Sequence, residues 1–330
     1  MINLPSTNLH GKVVGVSSLF LLLVIACNLS PKPTLIFPTM RPTTDGSNPI
    51  ATGQSTSTDK PAGKIAYVCT LDQVHNQICV MNADGSDQRV LVPWPMVQSY
   101  YPSFALDGQS VVFASNRDGE FELYEANLSG DIQKIPTVNQ EVASPAISPD
   151  GNWIVFTIVS DQADNAIALT PRKGGVVTVL FDRDGWDPSW SPDGSHILFA
   201  GNVEGRVQLF IMDRDGNNIS QVTDLAGLRG RNDWSSQGNL LSTYIGEVSQ
   251  YNRNIYTFGT SGEGLRMITN GGDNVAPSFS PDGKWIAFMS YRDHFWNQFG
   301  CEIYVMRVDG SDVRRLTSND TCDWQPRWGR

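Results

Sequence analysis

PSWSPDGSHILF, residues 188–199, returns with few changes as PSFSPDGKWIAF at 277–288. The stretch belongs to a longer series. Aligned on the large residue before the turn, it runs Phe104, Ile147, Trp190, Trp234, Phe279 and Trp328, with successive spacings of 43, 43, 44, 45 and 49. A period in this range marks a propeller or a solenoid and takes precedence over any local assignment.

Each unit has the same internal order. A first strand ends in Pro-x-aromatic-Ser, and an SPDG turn follows, with Pro suited to its first corner and Gly to a positive φ. A short apolar second strand comes next (VVF at 111–113, IVF at 154–156, ILF at 197–199, IAF at 286–288). The third strand reads QLFIMD at 208–213 or EIYVM at 302–306, and after a further Gly-containing turn a fourth strand closes the unit. Helical periodicity is absent, so each unit is four antiparallel strands. The second strands are apolar without alternation, which requires cover on both faces, as in blades stacked around an axis. The first unit, from Gly63, lacks a Pro-x-aromatic strand, and residues 324–329 supply that strand alone. The expected architecture is therefore an all-β, six-bladed β-propeller over 63–330, closed by its C-terminal strand and leaving no long free edge.

PSWSPDGSHILFAGNVEGRVQLFIMDRDG and PSFSPDGKWIAFMSYRDH resemble the repeats of TolB-like six-bladed β-propellers, which are similar to those of prolyl oligopeptidase relatives. The departures are ALDG at 105–108 and SSQG at 235–238 in place of SPDG. The resemblance covers residues 63–330, and the stretch before it is expected to be a mobile linker rather than the small N-terminal domain of TolB itself. The resemblance implies fold, and a fold of this kind hosts many functions.

The N-terminal part reads as a targeting segment. Lys12 precedes an apolar run from Val13 to Ala26, which as a helix would cover about 21 Å, short of a ~30 Å hydrocarbon core. Val24, Ile25, Ala26 and Cys27 resemble the lipobox of bacterial lipoproteins, which implies cleavage before Cys27 and lipidation of its thiol. Residues 1–26 are thus expected to be a lipoprotein signal peptide, with an uncleaved anchor or a plain signal peptide as alternatives. Residues 27–62, rich in Pro, Ser, Thr and Gly, are expected to be a flexible tether with a reach of roughly 30–35 Å. The net charge of −10 becomes −11 without residues 1–26, which argues against nucleic acid as a partner.

Four further cysteines fall on one face of the expected ring, in the two blades at the closure seam. An even count in an exported chain suggests disulfides, and the expected pairs are Cys69–Cys79 and Cys301–Cys322. Unpaired thiols and a metal site are the alternatives, the second lacking any CxxC or Cys–His spacing. DRDGNN at 213–218 has its Gly at position 4 rather than 6, so it reads as a hairpin turn rather than a calcium loop. GxSxG, HExxH and P-loop patterns are absent, and no cofactor or metal is indicated. His75 and His294 fall in same-face loops of neighbouring blades, where they could meet.

The crossover segments before each Pro-x-aromatic would line a channel mouth with Tyr100, Tyr101, Glu141, Trp186, Asp187, Arg231, Asn232, Asp233, Asn274, Asp323 and Trp324. For Asp187 and Asp233, strand capping is an equal reading. The longer blade-six loop would add a lip of His294, Phe295, Trp296 and Phe299; the other reading folds this loop over Cys301 as a local core. The function read from these features is a non-enzymatic binding or scaffold module. It would be lipid-anchored in the cell envelope (periplasmic, or on the outer side of the cytoplasmic membrane), monomeric, with this mouth near the membrane or wall. Its partner would be an envelope protein, a peptide or a polysaccharide. The alternative is a channel-sited polysaccharide lyase or hydrolase using Glu141, Asp187, Arg231, Asp233 and His294.

Overall fold

The computed structural model describes residues 59–330 apart from 73, 95, 106, 138–139, 162 and 295–299. The expected signal peptide, the lipidation site Cys27, most of the expected tether, and Phe295, Trp296 and Phe299 of the expected lip lie outside the described residues.

Six four-stranded antiparallel sheets form the ring. In blade one, β1 (Lys64–Leu71), β2 (His75–Asn82) and β3 (Arg89–Val90) are joined by the last strand of the chain. Blade two is β4 (Ser99–Phe104), β5 (Ser110–Ser115), β6 (Glu122–Asn127) and β7 (Ile132–Ile135). Blade three is β8 (Val142–Ile147), β9 (Trp153–Ile158), β10 (Ala166–Pro171) and β11 (Thr178–Phe181). Blade four is β12 (Gly185–Trp190), β13 (His196–Val203), β14 (Arg206–Asp213) and β15 (Ser220–Gln221). Blade five is β16 (Leu228–Trp234), β17 (Leu240–Ile245), β18 (Asn254–Gly259) and β19 (Arg266–Met267). Blade six is β20 (Asn274–Phe279), β21 (Trp285–Ser290), β22 (Glu302–Arg307) and β23 (Arg314–Arg315). The closing strand is β24 (Asp323–Gly329).

The period of two explains the apolar second strands. On β21, Trp285 and Ala287 face blade one, while Ile286 and Phe288 face blade five. On β9, Ile154 and Phe156 pack on blade two, and Val155 packs on blade four. The core is thus a set of apolar layers between neighbouring blades. The outermost strands are two to four residues long, and several carry arginine (Arg89, Arg266, Arg314, Arg315), which blunts their free edges.

β24 pairs with β1 in the register Lys64↔Gly329, Ile65↔Trp328 and Cys69↔Asp323, as the expected closure requires. Trp328 enters the layer between blades one and six beside Ile65, Tyr67 and Trp285. Gly329 lies against Phe104 of blade two so closely that a Cβ would overlap that ring. Both expected disulfides are present: Cys69–Cys79 bridges β1 and β2 with Cα atoms 5.8 Å apart, and Cys301–Cys322 joins the loop before β22 to the start of β24 at 4.6 Å. The second closes a loop of sequence separation 21 across the seam, so replacing both of its cysteines by Ser is expected to lower the unfolding free energy by roughly 3 kcal/mol. Urea denaturation measures this, and an unchanged midpoint would mean that the ring closes without it.

Residues 59–62, expected at the end of a mobile tether, are docked. Lys284 Nζ contacts Asp59 Oδ2 at 2.8 Å, and Trp328 Nε1 donates to the Ala62 carbonyl at 2.9 Å. The docking spans the seam beside the SPDG turns. The chain therefore joins the ring on the turn face, opposite the crossover face that the sequence reading placed near the membrane or wall.

Candidate functional site

Five of the six first strands place a non-glycine residue at positive φ directly before a proline: Tyr101 (57°), Ser144 (49°), Asp187 (50°), Ala276 (53°) and Gln325 (49°). A residue before proline is sterically pushed away from such conformations, so each is held by its surroundings. The register against the second strand slips at the same point, between Tyr100 and Ser103, between Trp186 and Ser189, and between Val275 and Ser278. Proline brings no N–H to the ladder, and the strand bulges there. Blade five has Asn232 at the proline position. It takes its bulge at Gly230 (φ 110°), and Asn232 Nδ2 binds the Asp187 and Gly230 carbonyls at 2.8 and 3.0 Å.

These bulges bring side chains together along the axis. The Arg231 guanidinium, from blade five, lies 5.3 Å from the Tyr101 ring centre, in blade two on the far side of the ring. Gln325 Oε1 accepts the Tyr101 N–H at 2.9 Å. Ser144 Oγ donates to Asp187 Oδ1 at 2.5 Å, and Arg231 Nη1 stands 3.5 Å from the same oxygen. Two residues further on, Arg327 of blade one reaches blade five. Its Nη1 is 3.1 Å from Asp233 Oδ1, and its Nη2 donates to the Asn232 carbonyl at 3.1 Å. Asp233 Oδ2 accepts the Phe279 N–H of blade six at 2.7 Å. Together these groups plug the channel.

On the turn face the plug is the floor of a funnel of about 440 Å³. Its wall carries one large residue per blade, Phe104, Ile147, Trp190, Trp234, Phe279 and Trp328, which are the alignment marks of the repeat. Its floor carries Ser103, Ala146, Ser189, Asp233, Ser278 and Arg327. Four of these six are small, and the remaining two are opposite charges. Burial, then the repulsion of Arg231, lowers the Arg327 guanidinium to about 10, while burial raises Asp233. Burial and then the charge of Asp187 push the Tyr101 hydroxyl up to about 12. A wall of this kind offers apolar contact, and the floor offers directional ionic hydrogen bonds.

Of the residues read as a crossover mouth, Tyr101, Asp187, Arg231, Asn232 and Asp233 converge, but as the plug. Only Asp233 lines the funnel. Tyr100 packs on Trp324 and Phe121, with ring centres 5.5 Å apart in both pairs, and its hydroxyl donates to Gln98 at 3.0 Å. Trp186 packs in the apolar layer between blades four and five. Asn274 is fully buried and bonds Gly271, Ser290 and Arg292. Asp323 is buried at the seam beside Asn319. Glu141 is largely exposed, and partial desolvation followed by repulsion from Glu120 raises its carboxyl. His294 Nε2 lies 3.3 Å from Arg315 Nη2, whereas His75 Nδ1 lies 2.9 Å from Asp72, so each histidine has its own partner. Among the described residues, no three His, Cys, Asp or Glu side chains stand close enough to hold a metal ion together. The sequence reading did not name Arg327 or the funnel wall. The signal was present, since Asp233 and Arg327 are the two charged residues at a position that is otherwise Ser or Ala.

Residues 59–236 match the family described as the TolB beta propeller domain, PD40. The chain belongs to this family. It is 26% identical over 230 residues to an uncharacterized protein of Agrobacterium fabrum, covering 68% of this chain and 60% of that one. It is 27% identical over 189 residues to the TolB homolog of Chlorobium chlorochromatii, covering 56% and 32%. This TolB-like chain thus spans less than two thirds of the length of these curated relatives. Its fold resembles TolB from Acinetobacter baumannii, with a TM-score of 0.70, 19% identity and coverage of 81% and 67%. The putative TolB from Agrobacterium tumefaciens gives 0.61, 21% identity and coverage of 81% and 95%. At these identities the structural likeness shows the TolB-like fold alone.

Proposed function

We propose that this TolB-like propeller is a non-enzymatic binding module of the cell envelope whose ligand enters the turn-face funnel. The observation that carries this reading is the funnel itself: about 440 Å³, closed at its floor, walled by six large side chains and holding an Arg327–Asp233 pair at its base. Sites for small ligands and short segments combine such walls with a few placed polar groups. Family membership supports the same reading, because the family's namesake is a TolB. The partner is an envelope protein, a peptide or a polysaccharide, and an anchor on Cys27 holds the ring through the turn face, where the described chain begins.

The enzymatic alternative needs convergent acid and base groups. Its candidates lie apart, Glu141 beside Glu120 and His294 beside Arg315, while Asp187, Arg231 and Asp233 stand in the ion pairs of the plug.

A photocrosslinking residue placed at Gln237, on the funnel rim, is expected to give discrete adducts in cells of the source organism. The same residue at Val179, on the exposed outer edge of blade three, is expected to give none. Adducts at both sites alike, or at neither, would overturn the reading.

A further inference from the structure

We propose that the funnel floor is a carboxylate site: Arg327, backed by the buried charge of Arg231 in the plug, grips the carboxylate of a peptide segment whose neighbouring apolar side chain packs on the funnel wall. This rests on the funnel being the ligand site and names the chemistry of the guest.

The first argument is unmet hydrogen bonding. Arg231 is 6% exposed, and its Nε is buried without an acceptor, as is Arg327 Nη1. Neither nearby acid accepts a hydrogen bond from these two atoms. Asp187 Oδ1 accepts from the Ser144 hydroxyl and from Arg231 Nη1, and Asp233 Oδ2 accepts from the Phe279 N–H. Arg327 Nη1 lies 3.1 Å from Asp233 Oδ1 but is not aligned to hydrogen-bond it. A buried guanidinium with an idle N–H is costly, and an acceptor at this point removes the cost.

The second argument is charge. Burial and then repulsion from Arg231 lower Arg327, and the charges of Asp233 and Asp187 offset this only in part. An anion against the two arginines offsets the repulsion in a site shielded from water. Asp187 and Asp233 restrict that anion to a single charge, since a phosphate dianion would meet both carboxylates. Planar carboxylate suits the guanidinium fork.

The third argument is the wall. Trp190, Trp234 and Phe279 would cover an apolar side chain beside the carboxylate, and capture of a peptide carboxylate is an established recognition mode.

The test uses the full chain and the intrinsic fluorescence of its funnel tryptophans. The probes are acetyl-Gly-Gly-Phe as the free acid, the same peptide as its C-terminal amide, acetyl-Gly-Asp-Phe amide, and inorganic phosphate. At least one carboxylate peptide is expected to bind about tenfold or more tighter than the neutral amide, as a charge-assisted bond would give. The free-acid and Asp arms show whether the source is a chain terminus or a side chain. Arg327→Gln is expected to erase the preference, and Arg327→Lys to retain part of it. Equal binding of acid and amide by the unmodified chain, no binding of any peptide, or preference for phosphate would each overturn the carboxylate site. Rim crosslinks at Gln237 would then still support the funnel as a ligand site, whereas their absence would overturn the funnel reading itself.

Discussion

Ending the chain at Cys322, so that β24 is never made, is expected to abolish cooperative folding of the whole ring. β24 is the innermost strand of blade one, and without it β1 presents a free edge with Ile65, Ala66 and Val68 uncovered. Blade six loses the Trp328 side chain that packs on Trp285, and blade two loses Gly329 from the Phe104 ring. The layers of the core lie between blades, so opening one interface removes half the cover from two blades and leaves an aggregation-prone strand edge. The single substitution Trp328→Ala grades the effect and should cost about 3–5 kcal/mol, as for other buried tryptophans. The check is near-UV circular dichroism together with urea unfolding. A truncated chain that still unfolds in one sharp transition near the full-length midpoint would show that blades one to six hold together without closure.

The stability of the seam is expected to depend on pH through Asp323. Burial, with a further contribution from the nearby Glu302 charge, raises its carboxyl from 3.8 to about 7, against the lowering effect of the Asn319 and Thr317 hydrogen bonds. Glu302 is itself fully buried, held by Arg315 Nη2 and Thr317 Oγ1, each at 2.6 Å. The folded carboxyl thus keeps its proton between about pH 4 and about pH 7, while the unfolded one has lost it. Folding binds the extra proton in that window, so this contribution is fully present below the unfolded value and is lost as pH rises to about 7. Its ceiling is roughly 4 kcal/mol for a shift of this size. Asp323→Asn keeps an oxygen that can accept from Asn319 and removes the titration. The variant is expected to match the parent near pH 4 and to exceed it in unfolding free energy at pH 8. The measurement is paired urea titrations at the two pH values. A gap between variant and parent that does not change with pH would refute the assignment.

The repeat, its turns and its closure are legible in the sequence because they are local or periodic. SPDG makes its turn from its own four residues, and an apolar run such as IVF has to be covered on both faces wherever it sits. The cysteine pairs were legible for a related reason, since topology alone brings Cys301 and Cys322 to the seam. The candidate site was legible only in part. Tyr101, Asp187, Arg231 and Asp233 were selected as a group, but were read as an open mouth on the crossover face. The bulge before each proline redirects them into the axis, and the blade-five bulge at Gly230 carries Arg231 far enough to meet Tyr101. Asp323 and Asn274 were read as mouth residues, but side chains and carbonyls of the adjoining segments enclose them, Asn319 at Asp323 and Gly271, Ser290 and Arg292 at Asn274.

By itself, the sequence determined that this chain makes six antiparallel units and closes them with its own tail. Strand alternation, turn chemistry and a 43-to-49-residue period are properties of short segments and their spacing. Only the tertiary structure decided which end of the axis is open and what closes the other. That depends on contacts such as Arg327 to Asn232, 95 residues apart, and Tyr101 to Gln325, 224 apart. Such pairs meet because the ring curves back on itself, and the reach of a guanidinium across a narrow axis leaves no trace in local pattern.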